Sequence, residues 1–268
     1  MKKLKKNIHD FWNKKSCGEE LYLFDTTKAG FMTQSLARYS IEPYISKFAD
    51  FTGARDLKVL EIGVGLGADH QKFAEAGANL WGIDLTERSI KYTAQRLKSF
   101  RLKSRLAVGD AENLKFADES FDRVYSWGVL HHTPNTPKAI AEVFRVLKPQ
   151  GKAYIMIYNK WSVVGFMLYV RYAILGLRFW LNIDQIYAQY LESPGTKAYS
   201  ISETRNLFAS FTHLEIATVL GHADLLESNV GQRHYGLLLN LARKFWPRSL
   251  IRRYFPNAGL TMMVLATK

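Results

Sequence analysis

From residue 57 onward the chain alternates two hydrophobic rhythms. LKVLEIGVG (57–65) is a mostly apolar run broken by glycine at its end, as in a strand buried on both faces of a parallel sheet. Residues 68–76 carry helical spacing and stop at Gly77, which suits a C-terminal cap. NLWGIDL (79–85) predicts a second strand, and Thr86 is placed to cap a helix running to about Leu102. RLAVGD (105–110) and FDRVYSW (121–127) predict a third and a fourth strand. PKAIAEVFRVLKP (137–149) has the spacing of an amphipathic helix, and Pro149-Gln150-Gly151 predicts a turn into a fifth strand, KAYIMIYN (152–159). Helical and strand runs alternating at this pitch imply an α/β fold, a parallel sheet with helices on both faces.

After Asn159 the rhythm stops. Residues 160–200 are rich in aromatics and long aliphatics; a helix (202–211) and a strand (LEIATVLG, 214–221) follow; then comes an irregular basic stretch (222–258) and a last strand (LTMMVLAT, 260–267). The division this suggests is an N-terminal helical cap over 1–54 and a core over 55–268 interrupted by inserts at 160–200 and 222–258.

The 268 residues, 47% of them hydrophobic, suffice for a full core. Cys17 is the single cysteine, so an intrachain disulfide is impossible and a cytoplasmic location is the expectation. MKKLKKNIHDFW is basic but has no apolar run behind it, unlike a secretory signal. The formal charge of +13 is uneven: lysines crowd the first 15 residues, and no acidic residue follows Glu227. Such asymmetry suggests an anionic partner (a membrane surface touched peripherally, a nucleic acid or an acidic substrate), or else a solvated basic face.

The glycines Gly63, Gly65 and Gly67 admit two ligands. Gly63-x-Gly65-x-x-Ala68 fits the dinucleotide fingerprint, in which the backbone approaches a pyrophosphate; the alternative is a loop packed under a bulky non-phosphate ligand. The neighbouring charges favour the second. Glu61 precedes the loop, Asp84 ends the second strand, Asp110 ends the third, and no Lys or Arg lies within 62–70. Carboxylates at three successive strand ends repel a pyrophosphate and attract an ammonium and a sulfonium. Each alone is an ordinary turn former or ion-paired residue; the set carries the argument.

LEIGVGLGADH, GIDLT, GDAENLKFADESFDRVYSWGVLHHT and RVLKPQGKAYI resemble the successive motifs of the class I S-adenosylmethionine-dependent methyltransferases, over about residues 55–160. FWNKKSCGEELY looks, less specifically, like the lead-in of a bacterial small-molecule subgroup. The resemblance implies a doubly wound, Rossmann-like sheet of seven mostly parallel strands, the last antiparallel between the fifth and sixth. It implies S-adenosyl-L-methionine as cofactor, the three glycines under its methionine part near Glu61, Asp84 on the ribose, Leu85 against the adenine, and Asp110 with the Ala111 backbone on the adenine edge. Trp127, at the end of the fourth strand, joins this cofactor-binding set.

WGVLHHTPN follows the fourth strand, outside the carboxyl ends of the sheet where ligands bind. His132 and His131 are therefore the candidate general bases. Adjacent residues of an extended loop point apart, so at most one faces a substrate, with His132 slightly preferred; a purely structural role for both stays open. No third ligand stands at a recognisable spacing, so no metal is expected. Tyr158 is a candidate for the pocket wall. Cys17 is expected to be a packed small residue, since methyl transfer needs no covalent enzyme intermediate.

SVVGFMLYVRYAILGLRFWL (162–181) is about long enough to span a bilayer, but Arg171 and Arg178 argue against it. Seven apart, they share a face of one helix. A lid over an apolar pocket, a core-packed or dimer helix, and an in-plane membrane helix all remain. GLLLNLARKFWPRSLIRRYFPNAG (236–259) mixes leucines, aromatics and positive charge as interfacial helices do. The expectation is methyl transfer to a small, apolar or aromatic acceptor. The alternatives are a non-catalytic adenosyl-binding scaffold or sensor, and an enzyme acting on a lipid or quinone at the membrane surface. The fourth-strand motif and the lack of a recognised binding module argue against nucleic acid.

Overall fold

The computed structural model describes residues 2–227 and 237–268; residues 228–236 of the second predicted insert, Arg233 among them, lie outside the described residues. Four helices precede the sheet: α1 (Lys2–Lys14), α2 (Glu19–Tyr22), α3 (Lys28–Ile41) and α4 (Tyr44–Ala49). The alternation then runs β1 (Lys58–Ile62), α5 (Ala68–Glu75), β2 (Asn79–Asp84), α6 (Glu87–Ser99), β3 (Arg105–Val108), β4 (Phe121–Trp127), α7 (Thr136–Val146) and β5 (Leu147–Tyr158). The first insert holds α8 (Val163–Tyr169) and α9 (Ile183–Ile186); α10 (Ile201–Leu207) and β6 (His213–Val219) return to the core. The second holds α11 (His222–Leu225), α12 (Leu237–Phe245) and α13 (Arg248–Tyr254), before β7 (Thr261–Thr267).

The sheet order is β3-β2-β1-β4-β5-β7-β6. β1 to β5 pair in parallel, and β7 runs antiparallel between β5 and β6. This is the topology that the resemblance implied. β1 is bordered on one side by the strand that follows it and on the other by β4, so the chain reverses direction across the sheet at this point. That leaves a crevice beyond the carboxyl ends of β1 and β4.

Strand alternation assigns the two faces. Leu60, Ile62 and Val124 turn to one side, packing with Ile140 and Val143 of α7 and with Phe208. Val59 and Tyr125 turn to the other, packing with Ile45 and Ala49 of α4 and Phe73 of α5. Each such side chain contributes about 1.5–3 kcal/mol by leaving water. Glu61 shares the parity of Val59, so it is carried onto the α5 side at the end of its strand.

Two local expectations are corrected. Pro149-Gln150-Gly151 is not a turn before β5 but an irregularity within it. Phe121 pairs with Leu147 and Arg123 with Lys152, and Gln150 takes a φ of 64°. Residues 162–181 are not one helix. α8 gives way to a wider π-type turn over Val170–Ile174, and Leu177 adopts a φ of 50°. Gly176 marks the break, because a Cβ there would meet the Tyr172 carbonyl oxygen at 2.5 Å. Arg171 and Arg178 therefore do not share a helix face. Among the described residues no helix is long and apolar enough to cross a membrane.

Candidate active site

All three loop glycines have positive φ: 84° at Gly63, 53° at Gly65 and 77° at Gly67. Their reasons differ. A Cβ on Gly63 would strike Val129 Cγ2 at 2.1 Å, and one on Gly67 would meet Thr93 Oγ1 at 2.8 Å. A Cβ on Gly65 would meet nothing within 4 Å. Two glycines thus let the loop press against the β4 loop and α6, while the third faces open space. That space is a cavity of about 330 Å³ at the crevice between β1 and β4. Glu61, all three glycines, Asp84, Leu85, Asp110, Ala111, Trp127 and His132 line it. His131 is not among its lining residues.

The three strand-end carboxylates are not three bare charges. Asp84 Oδ1 accepts from the Thr86 amide at 3.0 Å and hydroxyl at 2.8 Å, and Oδ2 accepts from the Gly65 amide at 3.2 Å. Asp110 is bridged by Lys5 of α1, whose Nζ lies 2.6 Å from Asp110 and 2.7 Å from Glu112. Glu61 is buried with its Oε2 2.8 Å from His70 Nδ1. Burial, then the Asp69 charge, pushes Glu61 well above the usual carboxylate range, while burial pushes His70 down to about 3. The hydrogen bonds agree. Ser104 donates to the Leu80 carbonyl, so its oxygen accepts from His70 Nε2–H, leaving Nδ1 to accept from a protonated Glu61. Burial and the His70 contact both favour the protonated form of Glu61 over the bare anion that the charge argument used, because desolvation outweighs its neighbours. A cation brought beside it favours release of that proton.

The two histidines separate sharply. His131 is fully buried, neither ring nitrogen has a hydrogen-bond partner among the described residues, and its ring lies 4.0 Å from that of Tyr158, tilted by 42°. Burial, then His132, holds it well below the ordinary histidine range, so it is a neutral packing group. His132 lies at the cavity wall. Its Nδ1 sits 2.9 Å from Ser193 Oγ and 3.1 Å from Thr196 Oγ1, and its Nε2 sits 3.4 Å from Glu192 Oε2. Tyr158 donates to that same Glu192 oxygen at 2.7 Å. The Trp12 ring of α1 meets the His132 ring edge-on at 5.3 Å. Cys17 is not the packed residue expected; it is exposed and lines the cavity. Desolvation of its thiolate, then Glu192 and Glu42, pushes its thiol up to about 12, so it stays protonated.

Several of these groups carried no sequence motif. Lys5 was one lysine in a basic run; Glu192, Ser193 and Thr196 lie in the irregular first insert, where ESPGT is a polar island in an apolar stretch. That island was the available signal. Asp69, buried at the start of α5, accepts from Arg38 at 3.0 and 2.6 Å, from Tyr39 at 2.9 Å and from Tyr125 at 2.8 Å. This knot ties α3 to the glycine loop and passes Arg38 on to Glu42.

Residues 60–155 match the family model described as a methyltransferase domain. They form a class I S-adenosylmethionine-dependent methyltransferase domain. The chain is 36% identical over 120 residues to phosphoethanolamine N-methyltransferase 2 of Caenorhabditis elegans, covering 43% of this chain and 26% of that one. It is 29% identical over 150 residues to a demethylmenaquinone methyltransferase of Tropheryma whipplei, covering 54% and 62%. The chain thus spans about a quarter to three-fifths of the length of these relatives. In the solved structures, Haemonchus contortus phosphoethanolamine N-methyltransferase 2 superposes with a TM-score of 0.61 at 17% identity, covering 97% of this chain and 59% of that one; this likeness is one of fold.

The methyltransferase cavity fits an adenosyl cofactor on its own chemistry. Gly65 offers a face without a Cβ, and the loop 62–70 contains no cation to hold a phosphate. Among the described residues no cluster of ligating side chains suits a metal ion.

Proposed function

We propose that the chain catalyses S-adenosylmethionine-dependent methyl transfer to a small apolar or aromatic acceptor. The observation that carries this is one cavity joining Gly65, Asp84 and Asp110 to His132, Tyr158 and Glu192. Asp84 would hold the ribose, Asp110 and Ala111 the adenine with Leu85 beside it, and Glu61 with the glycine loop the methionine part. The bound cofactor supplies an electrophilic methyl group. The protein positions the acceptor and takes its proton. His132 Nε2, 3.4 Å from Glu192 Oε2, accepts that proton, and only the imidazolium so formed pairs with the carboxylate beside it. Ser193 and Thr196 fix the ring by Nδ1. Thr196 donates its own hydroxyl proton to the Ser193 carbonyl at 2.6 Å, so its oxygen is available to accept from Nδ1–H. That tautomer leaves Nε2 with its lone pair.

The acceptor's character follows from the lining. Ile8, Trp12, Leu21, Tyr22, Tyr44 and Met156 make an apolar and aromatic wall. The lysine and arginine in the lining, Lys5 and Arg38, are both engaged by carboxylates, so among the described residues no unpaired lysine or arginine of the lining awaits a phosphate. This favours an acceptor of the quinol or phenol kind over phosphoethanolamine.

Calorimetric titration with S-adenosylmethionine, S-adenosylhomocysteine and NAD tests the cofactor half. Binding of the adenosyl compounds alone, weakened in Asp84→Ala, is expected; NAD binding would overturn it. Release of S-adenosylhomocysteine over a panel of quinols, phenols and phosphoethanolamine tests the acceptor half. Tight cofactor binding with no turnover across that panel assigns the non-catalytic scaffold role instead.

A further inference from the structure

The two inserts leave a large apolar surface uncovered. α8 and its flank carry no charge over Ser162–Val170. One side, Val164 and Leu168, packs into a small core with Ala173, Leu181 and Tyr187. The other side of α8 is in solvent at Phe166, 66% exposed, and the chain before and beyond the helix exposes Trp161 (67%) and Trp180 (76%). Leu175, Leu177 and Phe179 are likewise exposed. A helix apolar on both sides is expected to have something on both sides.

The second insert continues this surface. The Val163 amide donates to the Ala258 carbonyl at 2.8 Å, and Asn159 donates to the Gly259 carbonyl at 3.0 Å. Trp161 and Phe166 thus lie within a turn of the place where Tyr254 and Phe255 enter, both exposed. Phe245 and Leu250, exposed as well, precede them. Among the described residues, none of Arg171, Arg178, Lys244 and Arg253 pairs with a carboxylate. Arg171, Lys244 and Arg253 lie over the neighbouring rings of Tyr172, Phe245 and Tyr254, and Arg178 donates to Tyr190. Exposed tryptophans and aliphatics interleaved with unneutralised cations match the chemistry of an anionic lipid interface, where rings enter the headgroup layer and cations meet phosphates. Nucleic acid would use the cations but would leave the aliphatic residues in water.

We propose that the paired inserts form one docking surface for an anionic lipid bilayer. The surface adjoins the cavity through Asp224. This residue lines the cavity, and its carboxylate accepts from Gly221 just before its own insert, from Val164 at the start of α8 and from Leu260 just before β7. Docking therefore sets the acceptor end of the cavity beside the membrane, where an apolar acceptor is concentrated. Only this last consequence rests on the methyl-transfer reading.

Co-sedimentation with unilamellar vesicles tests the surface, scored without cofactor. The protein is expected to pellet with vesicles of one-third phosphatidylglycerol in phosphatidylcholine, to stay in solution with phosphatidylcholine alone, and to be released by molar salt. Reversing Lys244 and Arg253 to Glu weakens binding by at least about twentyfold, roughly fivefold per charge. Trp161→Ser with Trp180→Ser weakens it too. Both variants change exposed side chains and keep S-adenosylhomocysteine affinity, which reports an intact fold. Absence of vesicle binding, equal binding to neutral vesicles, variants that bind as well as the parent, or preference for duplex DNA over anionic vesicles overturns the proposal. A parent protein that transfers methyl groups but binds no vesicles refutes docking alone and leaves the methyl-transfer reading standing.

Discussion

The end of the cavity proposed to hold the cofactor and the end proposed to hold the acceptor are assembled by different means. The first is made from strand ends and the loops directly after them: Glu61 and Gly63 leave β1, Asp84 ends β2, Asp110 follows β3. Their spacing along the chain is set by the lengths of a strand and a helix, so it repeats as motifs. The second is made from segments far apart. His132 follows β4, Glu192 and Thr196 come from the first insert, and Trp12 comes from α1. Helix α1 spans both ends, with Lys5 on Asp110 and Trp12 against His132. A site built from consecutive connections of one sheet keeps its geometry through backbone pairing. One built from inserts depends on side-chain contacts and is free to change with the acceptor.

The sharpest way to break this comparison is to separate binding from chemistry. His132→Asn should lower kcat by about 10²–10⁴-fold while leaving S-adenosylhomocysteine affinity unchanged. Equal loss of both in calorimetry and turnover assays would mean that the two ends are one unit. Next in size, Gly63→Ala forces a methyl into Val129 and should cost about 2–4 kcal/mol of stability, with loss of cofactor binding. Gly65→Ala meets open space, costs only the left-handed backbone, about 1–2 kcal/mol, and should still weaken cofactor binding. Thermal unfolding of the pair checks the order.

Glu192→Gln keeps the size of the group that pairs with His132 but removes its charge. A kcat loss of about tenfold, smaller than for His132→Asn, is expected with S-adenosylhomocysteine affinity unchanged, since the imidazolium loses its counter-charge in the transition state. An unchanged kcat would show that Glu192 only packs there. Proton uptake or release is subtler. Cofactor binding beside the protonated Glu61 should expel up to about one proton. Calorimetry in buffers of different ionisation enthalpy reads it, and Glu61→Gln should abolish it.

The smallest effect lies at the start of α2. Glu19 is held down to about 2: burial opposes this, but Arg88, the Ser16 amide and Tyr92 outweigh it. Its folded value is below the ordinary one, so its stabilising contribution is fully present above about pH 4.5 and lost as pH falls toward 2. Acid titration of the intrinsic tryptophan fluorescence should show a shallower slope over that window in Glu19→Gln.

The core elements were legible because buried strands and amphipathic helices write their periods into contiguous residues. β4 was read to the residue, and Thr86 caps α6 as expected, accepting from the Ser89 amide. The long apolar run 162–181 was misread as one helix because its break depends on Gly176 and a left-handed Leu177, a turn that period alone does not reveal. The strand-end carboxylates could be placed from sequence, but their ionisation could not. Lys5 is 105 residues from Asp110 in the chain, and the state of Glu61 rests on burial and on a histidine whose other nitrogen is spoken for.

The sequence by itself determined the layered sheet, the glycine loop and the strand-end carboxylates, because local periodicity and consecutive crossover connections decide all three. Only the tertiary structure decided which histidine reaches the cavity, which carboxylate stands beside it and which charges are already neutralised. Those depend on desolvation and on contacts between segments that the chain order keeps apart.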